Sequence, residues 1–230
     1  TGIESFYQPM LDRLNKKATE ADNIHALREL HKLKGLRLSF GLMTYHPWTT
    51  MKEVLHNIRR IREEVLGLPL TGPEMIRRFL QVMYIYKGTP AYQLAKKQGL
   101  IKREPRFEQW CCDYYLPVKA QRLQSFVMGA LEPITDPQHK LFLLWSANAD
   151  NYDDATLQQI WQLTDVIENH VLDSVEHYVL SLEGNSENSE LYDIARNTLA
   201  RSKELISALN QMTESNKIIA PERSMDGYLA

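Results

Sequence analysis

The chain reads LRLSFGLMTYHPWTTMKE from residue 36 to residue 53. Apolar residues alternate with small or polar ones at its start, which is the periodicity of a β-strand: Leu36, Leu38, Phe40 and Leu42. Thr50 and Glu53 then stand three residues apart, as in a capping box, which predicts the start of a helix. The helix carries one apolar stripe: Met51, Val54, Leu55, Ile58, Ile61 and Val65. The stretch therefore predicts a strand, a loop and a helix in succession.

The same order recurs on both sides of this stretch. Upstream, residues 2–4 resemble the end of a strand, and helices are predicted over residues 8–15 and from the Thr19 N-cap to Gly35. Downstream, residues 79–86 are rich in aromatic and β-branched residues, which favours a strand. Thr89 and Pro90 then suit the N-cap and the first turn of another helix. Strand and helix alternating three times is typical of parallel β/α units.

The predicted fold class is therefore α/β, with a partial (β/α) TIM-like barrel of about three βα units. Three strands leave two open sheet edges, so we expect the remaining strands upstream of Thr1, where the chain opens without an initiator methionine.

The second half of the sequence has a different character. No strand signal follows Pro117, and helices are predicted over residues 118–131, 137–145, 154–182 and 189–213. Residues 218–230 contain proline and serine and predict a loosely held tail. We therefore expect two domains, the half-barrel over residues 1–115 and an all-α domain over residues 116–230.

Composition narrows the class of protein. Lys and Arg number 27 and Asp and Glu 29 in 230 residues, so the net charge of −2 does not indicate a nucleic-acid partner. No apolar run reaches the roughly 18 residues of a membrane helix, so no membrane is expected. The two cysteines, Cys111 and Cys112, are adjacent and cannot staple the fold in an ordinary way, which favours a reducing compartment, the cytoplasm.

In parallel β/α folds, ligands bind at the carboxyl ends of the strands. Glu4 ends the first predicted strand, where its carboxylate can accept hydrogen bonds from ribose hydroxyls or an ammonium, or can simply start a helix. Tyr45, His46 and Trp48 follow the second strand and either face a substrate or pack among themselves. Gly41 inside that strand indicates the close approach of a ligand or of packed backbone.

Metal ligands are not predicted in this chain. His170, Asp173 and His177 share one side of a long helix, but this side lies away from the apolar stripe, which favours a solvated face. Cys111 and Cys112 lack the spacing and the partners of a zinc or iron–sulfur site, which favours partly buried side chains.

Three motifs together resemble the carboxyl-terminal half of the radical S-adenosylmethionine (radical SAM) enzyme barrel. Residues 2–17 resemble that family's GIES…vL…nK strand and helix, and residues 38–50 resemble its fgfmxxxPxxT strand and loop. Residues 88–100 resemble its GTPxyxlaxxxGL turn and helix. The His-Pro-Trp-Thr-Thr form of the loop is similar to members that carry an upstream cobalamin-binding domain.

The resemblance implies an enzyme that cleaves S-adenosylmethionine reductively at a [4Fe-4S] cluster, as a methyltransferase that uses cobalamin or in carbon-skeleton chemistry. By position, it implies that the cofactor-binding residues are Glu4, Ser5, Phe40, Gly41, Ile85 and Tyr86. It implies that Tyr45, His46 and Trp48 face a small-molecule or peptide substrate.

One family motif, the CxxxCxxC cluster loop, is absent from the 230 residues. The resemblance therefore implies a partner, an upstream segment or chain that supplies the rest of the barrel and the cluster ligands. The alternative is a non-catalytic helical protein-interaction module on a degenerate half-barrel, with the long amphipathic helices as the docking surface.

Overall fold

A computed structural model describes residues 2–33, 40–65, 74–104, 110–148 and 153–215. Its α-helices are α1 (Gln8–Arg13), α2 (Glu20–His31), α3 (Met51–Glu64), α4 (Glu74–Arg78), α5 (Pro90–Lys97), α6 (Val118–Ala130), α7 (Thr135–Asn148), α8 (Asp154–Glu183) and α9 (Asn188–Ser215). A 3₁₀ turn, Glu132–Ile134, joins α6 to α7. The strands are β1 (Ile85–Tyr86) and β2 (Trp110–Cys111).

The predicted partial barrel is wrong, because 69% of the described residues are helical and their only sheet is a two-stranded antiparallel one. The segments expected to be parallel strands meet at isolated bridges, Glu4 with Leu42 and Tyr45 with Val82. Alternating apolar and polar residues indicate that one face of an extended segment is buried, and residues 40–43 do alternate in burial. A β-strand also needs a continuous ladder of backbone hydrogen bonds, which these residues lack. Residues 36–39 of the predicted second strand lie outside the described residues.

The two strands present an aromatic face to solvent. Ile85 pairs with Cys111 and Tyr86 with Trp110. The first pair is buried, whereas Tyr86 and Trp110 are 53% and 39% exposed, and the Tyr84 ring meets Trp110 edge-on at 4.8 Å. Strand β1 therefore occupies the end of the segment predicted as a strand, and Phe79 at its beginning lies in the turn after α4.

The helix starts predicted from threonine N-caps are confirmed. The hydroxyls of Thr19, Thr50 and Thr89 each accept a hydrogen bond from the backbone amide three residues later. Asp22 completes the capping box at Thr19, whereas the carboxylate of Glu53 contacts His46. Local hydrogen bonding therefore explains where α2, α3 and α5 begin.

A single cluster of buried apolar side chains extends across the predicted boundary at residue 115. It runs from Ile3 through Ile58 and Ile61 of α3 to Val175 of α8 and Leu205 of α9. Helix α3 packs on α8, and Arg62 of α3 binds Asp173 and Glu176 of α8 at 2.7 and 2.9 Å. This cluster thus draws on both predicted units, whereas a second, smaller cluster that includes Met10 and Ile85 lies within residues 1–115.

The helices of the second half closely follow the prediction. Helix α8 was expected over 154–182 and α9 over 189–213, and each is extended by one to three residues. None of the described helices is both long enough and apolar enough to cross a bilayer. The tail predicted over 218–230 lies outside the described residues.

Candidate functional site

The backbone of Glu4 joins the first two motif segments. Its amide donates to the carbonyl of Gly41 at 3.0 Å, and its carbonyl accepts from the amide of Met43 at 2.7 Å. Glu4 has a φ of 67°, in the left-handed region that costs a non-glycine residue free energy. The two bonds to residues 41 and 43 hold this conformation in place.

The Glu4 carboxylate forms an ion pair near the surface. Its Oε1 lies 3.0 Å from Nζ of Lys16, and the two side chains are 18% and 33% exposed. Lys16 also donates to the carbonyl of Gly2 at 3.1 Å. A Cβ at Gly2 would lie 2.9 Å from the Glu4 Oε1, so the carboxylate occupies space that only glycine leaves free.

Left-handed backbone is concentrated around this ion pair. Among the described residues other than glycine, positive φ occurs at Glu4, Asn15, Lys17 and Asn185. Glu4 is one partner of the salt bridge, and Asn15 and Lys17 flank Lys16, the other partner. Three of the four residues with positive φ are therefore members or direct neighbours of this pair. Strained backbone of this kind is concentrated at ligand sites, which makes the Glu4–Lys16 pair the leading candidate site.

A buried polar network lies next to Glu4 in the chain. The Ser5 hydroxyl is 3.3 Å from both Glu53 Oε1 and Asn57 Oδ1, and Asn57 Oδ1 accepts from the amide of Phe6 at 2.8 Å. Asn23 donates to the carbonyls of Ile3 and Ser5. These bonds tie residues 3–6 to α2 and α3 and so orient Glu4.

His46 belongs to the same network. Its Nδ1 accepts from the amide of Trp48 at 3.2 Å, so Nε2 carries the hydrogen that faces the Glu53 carboxylate at 3.1 Å. The His46 and Glu53 side chains are 0% and 3% exposed. In this conformation the imidazole therefore binds protein groups on both nitrogens and holds the loop after Tyr45 against α3.

The other residues predicted to face a substrate differ in exposure. Tyr45 is fully buried, and burial raises the pKa of its hydroxyl far above the usual range. Trp48 is half-buried, and its indole donates to Gln98 at 2.7 Å while the Arg13 guanidinium lies 5.1 Å from the ring centre. Of the three, Trp48 alone offers surface to a solute.

Phe40 and Gly41 lie beside Glu4 in different surroundings. Phe40 is buried, and its ring is covered by the Arg78 guanidinium at 4.1 Å. A Cβ at Gly41 would lie 3.3 Å from Oε1 of Gln81, an oxygen that accepts from the Leu42 amide at 3.1 Å. The close approach that Gly41 permits is therefore made by a neighbouring side chain.

Ile85 and Tyr86 have different surroundings. Ile85 is buried in a small apolar cluster with Met10 and Met83. Tyr86 is 53% exposed and pairs with Trp110. The structure thus brings Glu4, Phe40 and Gly41 together and leaves Tyr86 on the exposed aromatic face.

Two of the residues considered as metal ligands, His170 and Asp173, have other partners, and the third, His177, is exposed. His170 is half-buried, not solvated, because its Nε2 faces the Ser202 hydroxyl at 3.1 Å, and burial lowers its pKa. Asp173 binds Arg62. No group of three His, Cys, Asp or Glu side chains within the described part of the chain is arranged to hold a metal ion.

The cysteines do not fit the cluster that the resemblance implies. Cys111 is buried, with its thiol 3.6 Å from the carbonyls of Arg103 and Asp113, and Cys112 is exposed. Two adjacent cysteines cannot supply the three spaced thiolates of the family motif. This chain therefore provides no set of cluster ligands.

Sequence reasoning missed three residues of the site. Lys16 lies within the first family motif, which gives it no role, although it is the partner of Glu4. Glu53 and Asn57 are four residues apart, on one side of α3. Two polar residues at this spacing beside a buried stripe are a signal that could have revealed the network.

Comparison with protein-family models, with curated proteins and with solved structures finds no match to this chain, so its functional assignment rests on the residues themselves.

Proposed function

We propose that this chain is the carboxyl-terminal portion of a radical SAM enzyme and that it contributes Glu4 to the binding of S-adenosylmethionine. The proposal joins the family resemblance to one observation, the left-handed Glu4 held between Gly41 and Met43 with its carboxylate near the surface. A carboxylate in this position accepts hydrogen bonds from a ribose diol or from an ammonium group. S-adenosylmethionine carries both.

Two further features support a preformed ligand site. Gly2 leaves room for the carboxylate, and the Ser5–Asn57 network fixes the backbone on the other side of it. A rigid support of this kind reduces the ordering cost of binding. The ion pair with Lys16 then holds the carboxylate in place when no ligand is bound.

The cluster ligands lie outside these residues in this proposal. A preceding segment or another chain would supply them in a reducing compartment, the cytoplasm. The contribution of this chain is to bind and orient the nucleoside or amino-acid part of S-adenosylmethionine, and its affinity is measurable without the cluster.

Isothermal titration calorimetry of this chain with S-adenosylmethionine tests the proposal. The Glu4→Gln variant removes the charge and keeps the shape, and we expect it to weaken binding about tenfold or more. Glu183→Gln is the matched control, because Glu183 also pairs with a lysine, Lys119, at 3.0 Å. The control should bind as tightly as the wild type.

Fragments of the ligand identify the group that Glu4 holds. If Glu4 accepts from the ribose, Glu4→Gln weakens adenosine binding and leaves methionine unaffected, and the reverse holds for the ammonium. An absence of saturable S-adenosylmethionine binding, or equal losses in Glu4→Gln and Glu183→Gln, would contradict the proposed function.

A further inference from the structure

A groove lies among the helices α6, α8 and α9. Its volume is about 590 Å³, which is within the range of small-molecule sites. The residues that line it include Val118, Arg122, Phe126, Tyr178, Leu191 and Tyr192. The groove is formed by the helical half of the chain and does not involve the Glu4 site.

The floor of the groove is apolar and well packed. The rings of Phe126 and Tyr178 stack with centroids 4.1 Å apart and planes within 4°. Both side chains belong to the continuous core, as does Leu191 beside them. Such a floor stays in place when a ligand binds, because its members are already held by their neighbours.

The walls of the groove expose apolar surface. Val118 on α6 and Tyr192 on α9 are 68% and 69% exposed, although both are large apolar side chains. Tyr192 offers a ring that can pack against an aromatic ligand, and Val118 adds an aliphatic surface to the same groove. Exposed apolar side chains that meet over a concave surface are typical of binding sites.

The charge of the groove has one sign. Arg122 is the only ionised side chain among the described residues that line it, and no described carboxylate pairs with it. The neighbouring Lys119 is neutralised by Glu183 at 3.0 Å. The positive charge of Arg122 also opposes the rise that burial causes in the pKa of the Tyr178 hydroxyl.

We propose that this groove binds a small organic carboxylate that carries an aromatic ring. The ring packs between Tyr192 and the floor formed by Phe126 and Tyr178, and the carboxylate binds the Arg122 guanidinium. An arginine suits this role because its planar donors match both oxygens of a carboxylate. Because Arg122 is the only ionised side chain among the described lining residues, the groove favours an anionic ligand over a neutral or cationic one.

A set of three indole compounds tests the charge requirement. Indole-3-acetate, indole-3-acetamide and tryptamine differ chiefly in charge, and their affinities are measured by titration followed with ¹⁵N–¹H correlation spectra of this chain. We expect the carboxylate to bind about tenfold or more tightly than the amide, with shifts confined to the amides of α6, α8 and α9 around the groove. Tryptamine should not bind.

Two variants and one control locate the site. Arg122→Gln should bring indole-3-acetate to the affinity of the amide, and Ser125→Trp should fill the groove and abolish binding with the thermal transition retained. Arg196→Gln is the matched control, because Arg196 lies on α9 one turn from Tyr192 and outside the lining. This control should bind indole-3-acetate like the wild type.

Several results would overturn the proposal. They are equal affinities for the three compounds, an equal loss in Arg122→Gln and Arg196→Gln, shifts centred outside the groove, and an absence of saturable binding. None of these outcomes bears on S-adenosylmethionine binding at Glu4, so the two proposals fail separately.

Discussion

The imidazole of His46 and the carboxylate of Glu53 lie 3.1 Å apart in the interior, at the point where the loop after Tyr45 turns into α3. The same carboxylate is 3.3 Å from the Ser5 hydroxyl, so one side chain holds both the segment that carries Glu4 and the loop that carries Trp48. Glu53 therefore has a structural role, and the candidate site depends on the contacts that its carboxylate makes.

Removal of the Glu53 carboxylate should lower the free energy of unfolding substantially. Glu53→Ala leaves His46 and Ser5 with a missing partner in the interior, and we expect a loss of about 3 kcal/mol or more in the free energy of unfolding. The measurement is urea denaturation followed by circular dichroism. Glu63→Ala is the control on the same helix, since Glu63 pairs with Arg59 and Arg60 at the surface, and it should cost at most about 1 kcal/mol. Equal costs for the two variants would contradict the structural role of Glu53.

Adjacent tyrosines provide a second matched test. The Tyr114 hydroxyl donates in the interior to the carbonyls of Tyr45 at 2.8 Å and Met83 at 3.0 Å, whereas Tyr115 is 55% exposed. Tyr114→Phe should lower the free energy of unfolding by about 1–2 kcal/mol, because the Met83 carbonyl loses this donor. Tyr115→Phe should change it by less than about 0.5 kcal/mol. Thermal melts that rank the two variants in the opposite order would show that Tyr114 does not hold these segments together.

Glu168 predicts a pH dependence of stability. Burial raises its pKa to about 7, in spite of the positive charge of Arg78, and Asp165 on the same helix adds to the rise. The unfolded chain titrates this carboxyl near 4.5, so the folded state binds more protons between about pH 4.5 and 7. The contribution of Glu168 to stability is therefore full below pH 4.5 and is lost as the pH rises through 7.

The Glu168→Gln variant removes this loss. It should be more stable than the wild type at pH 8 by up to about 3 kcal/mol, and the difference should vanish near pH 4. Urea denaturation across this range measures the difference, with Glu183→Gln as the control, because Glu183 lies at the surface near the end of the same helix and pairs with Lys119. A constant difference between Glu168→Gln and the wild type at all pH values would be inconsistent with the raised pKa.

Gly2 provides a test of the proposed ligand site that leaves Glu4 intact. A Cβ at Gly2 would displace the Glu4 carboxylate and lies 3.3 Å from Lys16 Nζ. We expect Gly2→Ala to weaken S-adenosylmethionine binding about fivefold or more with little change in the thermal transition. Gly129→Ala is the control, because a Cβ there meets nothing within 4 Å, and it should retain full affinity. Unchanged affinity in Gly2→Ala would indicate that the position of the carboxylate does not matter for binding.

The candidate site was only partly predictable. Glu4 was predicted from its place at the end of an apolar segment, and the structure puts it in a strained conformation beside Gly41. The burial of His46 was not predictable from the loop sequence, because it depends on Glu53 and Asn57 of α3 facing the same interior space as Ser5. The contacts of Ser5 with Glu53 and Asn57 join residues 48 and 52 positions apart. The spacing of Glu53 and Asn57 can therefore indicate a buried polar pair, but it does not identify the partner.

Local chemistry by itself determined where the helices begin and how far they extend. A threonine hydroxyl satisfies a free backbone amide within three residues, and an apolar stripe repeats every turn, so α2, α3, α5, α8 and α9 could all be found from the sequence. The pairing of the extended segments could not be found in this way, because alternating apolar and polar residues show only that one face of a segment is buried. The tertiary structure alone decided that they pair through single bridges, that Lys16 meets Glu4, and that one buried cluster draws on both halves of the chain. Strand pairing and core formation join residues distant in sequence, and their geometry is set by the packing of the whole chain.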